Sequence, residues 1–141
     1  MAALFTERDV NAVDTNVVVR LIVGDEPQQA ASARTLLETG RALLATTVVL
    51  ETEWVLRSVY RLDRNAIAAA LAKFCGLEQV ELENANLVRD ALRCYADGMD
   101  LADALHLLSA EAAGARRFCT FDTRFAKSAA RYAGGIKVER L

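Results

Sequence analysis

The sequence predicts an α/β fold, a three-layer α/β/α sandwich built around a central parallel sheet. Short apolar runs alternate with longer segments of helical periodicity along the whole chain. The short runs are continuously apolar rather than strictly alternating, as strands buried on both faces are. Each strand is followed by a helical segment, the connection that parallel pairing requires, and right-handed crossovers then place helices on either face.

In order, Val10 to Asp14 reads as a first strand closing on Asp14-Thr15-Asn16, where Asn16 or Thr15 is expected to cap a helix through Val17, Val18, Leu21 and Ile22. Asp25-Glu26-Pro27 opens the next helix, with Ala30, Ala33 and Leu37 as its stripe and Gly40 as its stop. Ala42 to Ala45 is a second strand. Thr46 or Thr47 is expected to cap the helix carrying Val48, Leu50, Glu51, Glu53, Val55 and Leu56. Asp63 starts a further helix with Ile67, Leu71 and Phe74 inward, stopping at Gly76. After a brief strand, Gln79 to Leu82, Asn84 caps a helix with Leu87, Ala91, Leu92 and Tyr95 inward. Asp97-Gly98 turns the chain into a helix beginning near Asp100 and ending at Gly114. Arg117 to Phe121 is a fourth strand, Asp122 starts a helix to about Ala133, and Ile136 to Val138 is the last strand.

A chain of 141 residues, 53% hydrophobic with a single proline, is expected to form one domain over residues 1–141 that needs no disulfides to bury its core. Its apolar runs are too short to cross a membrane. Met1 to Val10 lacks a basic region followed by an apolar core, so no signal peptide is expected. Cys75, Cys94 and Cys119 are odd in number, far apart and without zinc spacing, which suggests buried thiols in a reducing, cytoplasmic compartment. The net charge of −2 gives no general attraction to nucleic acid, but Arg116, Arg117, Arg124, Lys127 and Arg131 gather near the C-terminus.

The chemistry lies in the acids. Asp100 and Asp103 stand one helical turn apart at the start of an apolar run in which Ala102, Ala104 and Leu105 read as buried. Asp14 closes the first strand, Asp122 the fourth, and Glu51 follows the second; in open α/β sheets ligands bind at these carboxyl ends. Four converging carboxylates would repel one another unless cations shared the site. Oxygen ligands without His or Cys suit Mg²⁺ or Mn²⁺, ions that activate water and clamp a phosphodiester. Alone, Asp14 or Asp122 reads more readily as a helix cap or turn residue, Glu53 as a surface or rim residue, His106 as a packed or hydrogen-bonded helix residue, and Trp54 as core or dimer interface. A receiver domain is disfavoured, because Glu7 and Asp9 are poor substitutes for its early acid pair and no lysine lies between Lys73 and Lys127.

On these residues the chain resembles PIN-domain proteins, and specifically the VapC-type ribonuclease toxins of toxin–antitoxin pairs. The resemblance rests on Val13-Asp14-Thr15-Asn16-Val17, on Val49-Leu50-Glu51-Thr52-Glu53-Trp54-Val55-Leu56-Arg57, on Asp100-Leu101-Ala102-Asp103-Ala104-Leu105-His106-Leu107 and on Thr120-Phe121-Asp122-Thr123-Arg124-Phe125. It implies a metal-dependent endoribonuclease in which Asp14, Glu51, Asp103 and Asp122 hold Mg²⁺ or Mn²⁺, supported by Asn16, Thr15 and Asp100. It also implies an RNA substrate, a cognate antitoxin and a homodimer. Arg116, Arg117, Arg124 and Lys127 are the expected phosphate contacts. The alternative is a PIN-like module that binds RNA or protein without cutting.

Overall fold

The computed structural model describes residues 10–132 and 134–141. The expectations for Met1 to Asp9 and for Ala133 lie outside the described residues. The chain divides into two compact units, Met1–Ala85 and Asn86–Leu141.

The first unit runs β1 (Val10–Ala12), α1 (Thr15–Val23), α2 (Pro27–Thr39), β2 (Arg41–Leu44), α3 (Thr46–Ser58), α4 (Arg64–Cys75) and β3 (Val80–Leu82). Its sheet has the order β1-β2-β3, and both pairings are parallel, with Ala12 beside Leu43 and Leu44 beside Leu82. Two helices separate each pair of consecutive strands, so every strand points the same way. Val18, Ala42, Leu56 and Ile67 are fully buried and form the centre of its apolar interior. Between α1 and α2 the chain reverses at Gly24, whose left-handed φ of 71° suits a residue without Cβ and whose N–H closes on the Arg20 carbonyl at 3.0 Å.

The second unit runs α5 (Ala85–Ala96), α6 (Leu101–Ala112), β4 (Arg117–Thr120), α7 (Thr123–Ala129) and β5 (Lys137–Arg140). β4 and β5 pair in parallel from Arg117 beside Lys137 to Thr120 beside Arg140. Ala91, Ala104, Leu107 and Ala129 are fully buried.

The predicted fold class therefore stands: all five expected strands form within a residue or two of their expected positions, all pair in parallel, and helices connect them. Local details differ. α7 ends at Ala129, short of the expected limit, and the chain enters a turn there. Cys75 and Cys94 are buried as expected, but Cys119 is exposed, because β4 alternates exposed and half-buried positions. Ala104 and Leu105 are buried as read, whereas Ala102 is half-buried. Among the described residues no helix is long and apolar enough to cross a membrane.

The caps give a direct check of these local assignments. Asp63 caps α4 as expected, accepting from the Ala66 N–H at 2.8 Å. α3 has Ala45 at its cap position with no side-chain cap; the Thr46 N–H instead donates to the Glu83 carboxylate at 3.0 Å. Asp63→Ala is accordingly expected to cost about 1 kcal/mol in urea unfolding. Thr47→Ala is expected to cost less than about 0.5 kcal/mol, the range of exposed positions without a specific partner. Equal losses would contradict the cap assignment.

Candidate active site

In the first unit, Asp14 follows β1 and caps α1. Its backbone is extended, and its Oδ1 accepts from the Val17 N–H at 3.2 Å. The cap thus falls on Asp14 and not on Asn16 or Thr15, because the helix begins one or two residues earlier than its apolar stripe suggests. The shift places Thr15 at the first helical position, buried, where its hydroxyl donates to Glu51 Oε1. That bond ties the start of α1 to α3, on which Glu51 itself is exposed. Asn16 is exposed and its side chain makes no hydrogen bond among the described residues.

Two neighbours of Glu51 differ from expectation. Glu53, read as a surface or rim residue, is only 2% exposed and accepts from Arg57 at 2.9 and 3.3 Å. It lies on the inward face of α3 with Val49 and Leu56, where a carboxylate is tolerated because a cation one turn on neutralises it. Trp54 is 53% exposed and so lies outside the core.

In the second unit, Asp100 caps α6 and accepts from the Asp103 N–H at 3.1 Å. Asp122 caps α7, its Oδ1 accepting from Arg124 at 2.8 Å and Phe125 at 3.1 Å, while its own N–H donates to Thr120 Oγ1. Asp103 lies in the first turn of α6, half-buried. Burial pushes its carboxyl above the usual aspartate range, the negative charges of Asp100 and Asp122 push the same way, and His106 opposes them. The unit thus brings Asp100, Asp103 and Asp122 within electrostatic reach of one another. His106 lies on α6 as expected and is exposed, so of the packed or hydrogen-bonded roles read for it the packed one does not hold.

The basic residues divide into two groups. Arg117 is engaged by Glu139 at 2.8 Å across the β4–β5 pair. Arg116, Arg124 and Lys127 are exposed and form no ion pair among the described residues.

Two features carry no local signature in the sequence. Glu83 reaches α3 from the end of β3, 37 residues from its partner. An open cleft of about 940 Å³ runs from Asp14 along α1 and α2, lined among others by Asn16, Arg20, Gln28, Gln29 and Ser32. Both depend on pairings between distant segments, which neither periodicity nor cap motifs encode.

Comparison with known proteins places the chain. The PIN domain family matches residues 12–130, so the chain belongs to the PIN domain family, whose members are nucleases that generally use divalent metals. The crystal structure of Mycobacterium tuberculosis VapC20, a sarcin-ricin-loop-cleaving toxin, is similar at 19% identity over 91% of this chain and 98% of that one, with a TM-score of 0.40. No curated protein matches the chain.

The residues present suit such a cation in kind. Asp14, Asp100 and Asp122 each commit Oδ1 to a cap, and no hydrogen bond to Oδ2 occurs among the described residues. No Lys or Arg forms an ion pair with these acids, with Asp103 or with Glu51 among the described residues, unlike Asp25, Glu53 and Glu139. Oxygen donors of uncompensated charge are the set that hard divalent ions prefer. Among the described residues no three His, Cys, Asp or Glu side chains are gathered closely enough to hold a metal ion as they stand.

The raised carboxyl of Asp103 sets a pH dependence. A carboxyl that holds its proton more tightly when folded gives the native state more bound protons than the unfolded chain. Stability therefore falls as pH rises from the ordinary aspartate value of about 3.9 through the higher folded one. With chelator present, Asp103→Asn is expected to raise the melting temperature at pH 7 by about 1–3 °C, with the gap closing near pH 3. A gap that is absent at pH 7, or that widens in acid, would contradict the assignment.

Proposed function

We propose that the chain is a metal-dependent endoribonuclease, the toxin of a toxin–antitoxin pair, acting in the cytoplasm. In this reading residues 1–141 work as one PIN domain. Asp14, Glu51, Asp103 and Asp122 supply the carboxylates for Mg²⁺ or Mn²⁺, and Asn16, Thr15 and Asp100 support them. The observation that carries the reading is that these four acids are present in a PIN-family chain and, among the described residues, none is neutralised by Lys or Arg.

Each residue has a task that its surroundings support. Caps hold Asp14 and Asp122 by one oxygen each and leave the other toward solvent. Thr15 holds Glu51 by a hydroxyl donor, which fixes the carboxylate's direction. Asp100 organises the first turn of α6 on which Asp103 stands. When bound to such carboxylates, a divalent cation lowers the pKa of water and stabilises charge building on a phosphodiester. Arg116, Arg124 and Lys127, free of ion pairs among the described residues, are suited to phosphate contacts, while Arg117 is less available because Glu139 engages it. A homodimer and an antitoxin partner belong to the same reading; exposed Trp54 and Val59, at 53% and 61%, supply apolar surface for self-association.

The test is cleavage of a mixed RNA pool by purified, antitoxin-free protein. Cutting is expected with Mg²⁺ or Mn²⁺ and not with chelator. Asp14→Asn and Asp103→Asn are each expected to lower the rate by about 100-fold or more, at least the loss seen when groups supporting a metal ligand are removed. Cutting that survives chelation, or that the variants retain in full, would overturn the assignment.

A further inference from the structure

The cleft beside Asp14 has a built polar wall. Arg20, on α1, donates through Nε to Gln29 Oε1 at 2.7 Å. Its Nη1 donates to Asp25 Oδ1 at 3.2 Å and to the Tyr60 hydroxyl oxygen at 3.0 Å, and Tyr60 in turn donates to Asp25 Oδ2 at 2.8 Å. Side chains from three separate segments thus fix one guanidinium.

Two consequences follow. The carbonyl oxygen of Gln29 already accepts from Arg20, which leaves the two amide N–H donors as the unengaged part of a side chain that lines the cleft. Arg20 also keeps Nη2, whose donors have no acceptor among the described residues. Asn16, Gln28 and Ser32 line the same cleft, and their side chains make no hydrogen bond among the described residues. Ala12, Val13, Val17, Ala33 and Leu36 line the cleft as well, so an apolar floor lies beside amides, a hydroxyl and a fixed arginine. This combination suits single-stranded RNA, whose unpaired bases offer their edges and whose phosphates accept from arginine.

We infer that this cleft is a nucleotide subsite flanking the bond to be cut, with Arg20 Nη2 donating to a phosphate and Gln29 donating to a base. The inference rests on the ribonuclease reading above. Donors without an adjacent acceptor favour guanine, whose N7 and O6 both accept, over adenine, whose edge alternates acceptor and donor. Gln28, Ser32 and Asn16 complete the polar lining of the cleft.

The test uses the full chain in chelator, so that binding is read without cutting. Labelled ten-nucleotide single-stranded RNAs differing by one guanine-to-adenine change are titrated by fluorescence anisotropy, with thermal melts as the check on folding. The wild-type protein is expected to prefer the guanine-containing RNA by about tenfold. Gln29→Glu keeps the bond to Arg20 and replaces the donors with an acceptor, so that preference is expected to vanish. The double variant Gln28→Ala, Ser32→Ala is expected to weaken both RNAs about fivefold or more. Both variants binding the two RNAs as the wild type does would overturn the subsite and leave the cleft to a protein partner. Cleft-dependent binding without metal-dependent cutting supports the subsite and sinks the nuclease reading. Cutting by variants whose base preference at the cleavage site is unchanged does the reverse.

Discussion

A carboxylate at the N-terminus of a helix is the interaction on which this arrangement turns. α1, α6 and α7 each begin on an aspartate, Asp14, Asp100 and Asp122, and each aspartate uses one oxygen to accept from the first turn. The cap satisfies a backbone donor that the helix itself leaves open, and the positive end of the helix favours the charge. Cap and candidate ligand are therefore not competing roles. The bond that fixes the side chain's direction leaves its second oxygen uncommitted.

Charge compensation differs among the acids of the chain. Asp25 and Glu53 are engaged by Arg20 and Arg57, and Glu139 by Arg117. In the second unit, by contrast, Asp103 is left with like charges and partial burial, and its carboxyl rises accordingly. Leaving like charges together costs stability in the metal-free protein, and groups with shifted pKa values of this kind cluster at functional sites. In the proposed reading, a cation shared by the acids relieves that tension.

Most of the fold was legible because its signals are local. Short apolar runs marked all five strands, and Asp63 and Asp100 announced their helices by position alone. The misplacements have a common cause in contacts between distant segments. α3 takes its acceptor from Glu83, in the turn just after β3, so its own threonines were unneeded as caps. Glu53 turned inward because Arg57 lies one turn on, where composition alone suggested solvent. The acids were legible by type and order, since Asp14, Glu51, Asp103 and Asp122 follow strands or open helices. The wall of Arg20, Gln29 and Tyr60 was not, because it joins side chains up to 40 residues apart.

The central claim is that these carboxylates serve hydrolysis of RNA by an activated water rather than attack by the RNA's own 2′-hydroxyl. Analysis of the fragment termini after cleavage tests it most directly. The account predicts 5′-phosphate and 3′-hydroxyl ends, formed only when Mg²⁺ or Mn²⁺ is supplied. Fragments ending in 2′,3′-cyclic phosphate, and formed equally well in chelator, would contradict it.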